Sequence, residues 1–306
     1  MRYKNFKNHK FAVAGVIEAL LLIGLVAIIL ALIQYNYVPQ IMEEKEAEHM
    51  DVVSNQFAQL KSVIDSQSLM GVLGSGETLA RAPMSSPITL GNKELPYFVS
   101  ARSSGQVNIY DKNDVIDSYI DIDPNPENFT YGIPLTSIVY RGYNFYYLDG
   151  SPLYYILEGG SIILQQNQGG TILVQPAMAV ETISPSTIKI NYDIPLFKSI
   201  PGKNYTGGYL DCYVRTNYTS HETYSKNNIN FINISSDYIE AWNQSLINND
   251  NGILWDYYND YIDVDFDDPI NPTKIIIQPL PGKTINVEIT IVEIGVQTGP
   301  GIVYIN

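Results

Sequence analysis

The sequence predicts an α+β protein. A long N-terminal hydrophobic helix continues into an amphipathic stalk, and a mainly antiparallel β-sandwich-like head with one short helix follows. Three observations predict it. Residues 11–34, FAVAGVIEALLLIGLVAIILALIQ, are almost unbroken hydrocarbon with one acid, Glu18. Residues 42–67 carry apolar side chains at helical spacing. From residue 88 onward the pattern changes to period two, punctuated by turn dipeptides, in a chain with 24 tyrosines.

The chain has 306 residues, enough for one large domain or two ordinary ones. Its formal net charge of −14 repels phosphate backbones, so no nucleic-acid partner is expected. A single cysteine, Cys212, cannot close an internal disulfide. Burial and hydrogen bonding must therefore hold the fold.

Residues 1–12 form a basic leader with Arg2, Lys4, Lys7 and Lys10 and no acid in the first ten positions. Residues 13–36 form a membrane helix. At 1.5 Å per residue the apolar run from Phe11 to Ile33 is roughly 35 Å long, enough to cross the ~30 Å hydrocarbon layer. Basic residues before the span, and Glu43, Glu44, Glu46 and Glu48 after it, place the N-terminus in the cytoplasm and the head outside. A cleaved secretory signal is the rival reading, but its apolar core is normally shorter. Glu18 near the start of the span carries a solvation cost. It either sits near the interface without a role or pairs with a positive group on a neighbouring chain and fixes register.

Residues 37–69 are read as the stalk. Met50, Val53, Phe57, Leu60 and Ile64 alternate in steps of three and four. The stripe is short for an independent coiled coil, so packing on the head is preferred to packing on other stalks. Pro39 kinks the helix without ending it. Residues 70–87 are a linker. Their glycines Gly71, Gly74 and Gly76 lack the strand and lysine of a phosphate loop.

Residues 88–306 are the β-rich head. A meander over Ser137–Gln175 is expected, with strands SIVY, YNFYYL, LYYILE, SIILQQ and TILVQ. Its turns are expected at Asp149-Gly150, Gly159-Gly160 and Gly169-Gly170. A last hairpin is expected about Pro281-Gly282. A short helix begins near Asp237, with Trp242 as a core anchor. One domain is the simpler reading, and two sandwiches joined near residues 180–200 are the alternative.

The N-terminal residues resemble a known family. The basic leader, the small-residue junction and the run AVAGVIEALLLIGLVAIILALI with its early Glu18 are similar to archaeal type IV pilin-like proteins with a class III signal peptide. The resemblance covers roughly the first seventy residues. It implies that a prepilin peptidase trims the leader at a junction among Ala12, Val13, Gly15 and Val16. It also implies that the apolar helix anchors the subunit and then packs against other pilin-like subunits in a surface filament. Glu18 would meet the new N-terminal amine of an adjacent subunit. In the family the acid is usually fifth in the mature chain. A cut after Ala12 makes Glu18 sixth, and a cut after Gly15 makes it third. The function expected is a pilin-like subunit of an archaeal cell-surface filament or its assembly system, with the head serving adhesion or surface interaction. The alternative is a single-span, membrane-anchored extracellular binding or envelope domain that never polymerises.

No enzyme is expected. His221 and Cys212 are the head's only histidine and thiol, and no nucleophile motif surrounds either. The alternating acids Asp263, Asp265 and Asp267, with Asp268, suit Ca²⁺, and a solvated acidic loop is the competing reading. Asp117, Asp121, Asp123 and Glu127 form a weaker set. Asn128, Asn204, Asn217, Asn233 and Asn243 each begin a glycosylation sequon, and Asn217 and Asn233 are the poorer sites if they lie in strands.

Overall fold

The computed structural model describes residues 8–74, 82–92, 102–115, 117–122, 132–247, 252–268 and 272–300. Helix α1 (Asn8–Leu32) leads through a π-helical turn at Ile33–Tyr37 into helix α2 (Val38–Val72). Pro39 falls at the start of α2. A proline lacks the N–H that the carbonyl four residues earlier would accept, and its ring crowds that carbonyl. The π turn widens the backbone at this point, with Val38 N–H donating to Ile33 five residues back.

Three sheets make the head. The first contains β1 (Met84–Thr89), β12 (Asp211–Ile229), β16 (Thr284–Pro300), β10 (Thr187–Ser199) and β9 (Met178–Ser184), in that order. The second runs β11 (Tyr205–Gly208), β2 (Ser104–Tyr110), β5 (Ser137–Tyr143), β6 (Leu153–Glu158), β7 (Ser161–Gln166), β8 (Gly169–Val174). The third runs β14 (Ile262–Phe266), β15 (Lys274–Pro279), β13 (Ile232–Ser235), β3 (Tyr119–Ile122), β4 (Ile133–Pro134). Pairing is antiparallel throughout, except that β10 and β16 run parallel over their common length. One short helix, α3 (Ile239–Ile247), follows β13.

The centre of the second sheet, β5 to β7, is buried on both faces, which explains its near-continuous apolar strands. Val139, Ile156 and Ile163 join one core, built with the third sheet, α3 and the first halves of β10 and β16. Their neighbours Ile138, Tyr155, Leu157 and Ile162 join a second core, built around α2. Strand β16 serves both. Ile285, Val287 and Ile289 enter the first core, whereas Val292, Ile294 and Val296 enter the second from its other face. The long first sheet therefore ties the two cores together.

Several expected elements differ. Residues 84–87 of the expected linker belong to β1, paired with β12. The YNFYYL segment continues no strand beyond Tyr143. Its next amides are captured by a side chain of α2, and Leu148 and Asp149 take positive φ. The β7–β8 turn is Asn167–Gln168, because Gln166 already pairs with Gly169. The tight turn at Pro281-Gly282 forms, with Gly282 at φ 80°. It closes no hairpin, since β15 stays in the third sheet while β16 crosses to the first.

Candidate functional site: the apolar helix and its seat in the head

Between Ala14 and Tyr37 no side chain is buried. Leu21 is 69% exposed and Ile23 66%, and the exposed apolar residues point in every direction round the helix. A helix apolar on all sides has no solvated face, so water is not its medium. The chain thus carries one helix near its N-terminus that is long and apolar enough to cross a membrane. Glu18 lies in it, exposed, with no hydrogen bond or ion pair to the described residues. Ala12, Val13, Gly15 and Val16 lie in its first turns, and open space surrounds the Gly15 Cα.

The same rod then becomes part of the head's interior. Along α2 the buried positions are Met42, Glu46, His49, Met50, Val53, Phe57, Leu60, Lys61, Ile64, Gln67 and Gly71. The spacing of three and four fixes one face along the whole helix. It extends the stripe read from the sequence by two turns toward the membrane and two toward the head. Phe57 packs between Tyr140 and Tyr155, with ring centroids 6.4 and 6.0 Å away. A Cβ at Gly71 would collide with the Tyr218 ring, so only glycine lets α2 approach β12 there. The six large apolar side chains of this stripe are worth roughly 10 kcal/mol of gross burial, comparable with the net stability of a whole domain.

Polar groups set the helix's position along its axis. Glu46 is fully buried, and its carboxylate accepts backbone N–H bonds from Phe145, Tyr146 and Tyr147 at 2.8–3.1 Å. Gln56 grips Thr89 twice, donating to its hydroxyl and accepting from its amide. Gln67 donates to the carbonyls of Ala82 and Thr216. The Tyr155 hydroxyl donates to the Met50 carbonyl. From the sequence Glu46 reads only as one of four acids after the span, and Gln56 and Gln67 are given no role. Glu46 sits four residues before Met50 on the apolar stripe, and that placement was the available signal.

The remaining expected residues are not drawn together. Asp263 and Asp265 each accept from the next residue's amide in β14. Asp267 reaches the start of β15. Its carboxylate accepts from the Thr273 hydroxyl and from the amides of Thr273 and Lys274, which hold it down at about 2. Asp268 follows it, exposed. No three Asp, Glu, His or Cys side chains converge as metal ligands among the described residues. Asn204 and Asn243 are half-buried, in the turn before β11 and in α3. Asn217 and Asn233 lie in β12 and β13, the first over Gly295 and the second with its carbonyl oxygen buried. Asn128, Asp123 and Glu127 lie outside the described residues. Cys212 and His221 are nine positions apart on β12, roughly 30 Å along an extended strand, and form no pair. Burial pushes the Cys212 thiol up to about 12.

No family model matches the chain, and no curated protein or solved structure matches it significantly.

Proposed function

We propose that the chain is a pilin-like subunit of an archaeal cell-surface filament or its assembly system. The observation that carries the reading is the continuity of one rod, lipid-compatible at its start and embedded in the head at its end. A tether that only holds a domain near a membrane works with a flexible linker. Here Glu46, Gln56 and Gln67 fix the head axially on the helix, so ordered packing of the helices would order the heads as well. Such coupling serves polymerisation.

In this reading the N-terminus is cytoplasmic and the head extracellular. A prepilin peptidase removes the leader at the junction between Ala12 and Val16. The apolar helix leaves the bilayer and packs against its neighbours. Glu18, without a partner among the described residues, pairs with the new terminal amine of an adjacent subunit. A carboxylate inside a bilayer helix carries a solvation cost, smaller near the start of the span than at its centre, and such a pairing offsets that cost while fixing register. The head then presents its β surface for adhesion or surface interaction.

Mass spectrometry of the N-terminus of the mature protein tests the reading. A free amine at Val13, Ala14 or Val16 supports it. A chain retained intact from Met1 would leave a non-polymerising anchored domain in its place.

A further inference from the structure

A cavity of about 380 Å³ opens where the end of β2, the two ends of β6 and the residues just before α3 meet. It lies far along the chain from the apolar helix and concerns the head alone, so the filament reading is not needed for it. Tyr110, Tyr154 and Tyr238 line it together with Asp117, Asp237 and, from β6, Glu158. Among the described residues, no lysine or arginine lines it. Arg141 stacks on the Tyr154 ring, 5.3 Å from its centroid, without forming part of the wall.

Glu158 is the unusual member. It is 2% exposed. One carboxylate oxygen accepts from the Trp242 indole N–H at 3.0 Å and from the Ser236 hydroxyl at 2.6 Å. Both bonds fall on Oε1, and Oε2 has no donor among the described residues. A second donor, from water or from a ligand, can reach Oε2 from the cavity that Glu158 lines. Burial pushes the Glu158 pKa up to about 7, with Asp237 adding to the rise. Trp242 and Ser236 pull it the other way, and the Tyr192 and Tyr238 phenols lie close enough to feel its charge.

We propose that this cavity binds an organic ammonium group, with Glu158 and Asp237 as counter-charges and the rings of Tyr110, Tyr154 and Tyr238 as walls. Aromatic faces attract a cation through their quadrupole, and most strongly where water is excluded. The acids supply the net charge that distinguishes the ligand from a neutral one. The volume suits a small solute or the end of a lysine side chain.

Calorimetric titration of the full chain in a maltoside detergent tests this. The probes are choline, Nα-acetyl-lysine amide, the uncharged tert-butyl analogue of choline, and Ca²⁺. At least one ammonium probe should saturate one site per chain, with choline marking a free quaternary ligand and the lysine amide a protein side chain. The uncharged analogue should bind at least about tenfold more weakly than choline. Asp237→Asn, at an exposed position, should fold normally and bind at least about tenfold more weakly, as should Glu158→Gln. Failure of both ammonium probes to bind at about 10 mM would overturn the proposal. So would equal binding of the uncharged analogue, unchanged binding by folded Asp237→Asn, or Ca²⁺ occupying the site in place of the ammonium probes.

Discussion

At the scale of single residues, two buried acids make testable statements. Glu46 satisfies three consecutive backbone donors of the loop after β5. Glu46→Ala orphans them, and each unsatisfied buried donor costs about 1–3 kcal/mol. Chemical denaturation should show a loss of roughly 4 kcal/mol, and Glu46→Gln, which keeps one acceptor oxygen, should lose less than half of that. Glu158 governs a pH dependence. Its pKa lies at about 7 when folded, against an ordinary 4.5. The protonated folded form is therefore favoured, and its contribution is fully present below pH 4.5. It is lost as pH rises toward about 7. Relative to Glu158→Gln, the wild-type protein should lose roughly 3 kcal/mol across that window, measured by denaturation at several pH values. A parallel course for the two proteins would contradict the assignment. Neither role could be read from the sequence. Glu158 ends the apolar strand LYYILE before a Gly-Gly turn, but its partners Ser236, just before α3, and Trp242, within it, come from some eighty positions away.

At the scale of elements, what was legible was what depends on local period. The stripe from Met50 to Ile64 is buried as its spacing requires, and the helix about Trp242 forms with the indole in the core. Strand pairing was less legible. β15 and β16 flank a good turn yet part company, because β16 finds a long parallel partner in β10, and pairing between distant strands leaves no local mark. The loop after β5 has strand-like composition, but its amides bond to α2 and not to a neighbouring strand. The acidic run at β14 reads as a ligand set in an extended chain. In the structure Asp267 accepts from the amides of Thr273 and Lys274, contacts that no local spacing announces. If α2 is a core element, Phe57→Ala should cost about 3–5 kcal/mol, whereas Gln59→Ala, on its exposed face, should stay within about 0.5 kcal/mol. Equal small effects from the two would mean the stalk is only draped on the head.

At the scale of the whole molecule, the rod divides at the π turn. Among the described side chains, none before Val38 contributes to either core, whereas α2 supplies the interior of one. A chain beginning at Val38 should therefore be soluble and melt cooperatively. One beginning after Val72 should fail to fold, because it leaves the apolar walls facing α2 uncovered. Solubility and a calorimetric transition distinguish the two. With the head so fixed, the proposed filament role turns on what the exposed helix meets, and in that proposal Glu18 sets the register. The most direct measurement is the distribution of the protein between the membrane and a sheared, high-mass surface fraction in the native host, for wild type and Glu18→Gln. Wild type is expected in the high-mass fraction and Glu18→Gln as single chains in the membrane. Glu18→Gln reaching that fraction in wild-type amount, or wild type never entering it, would contradict the account.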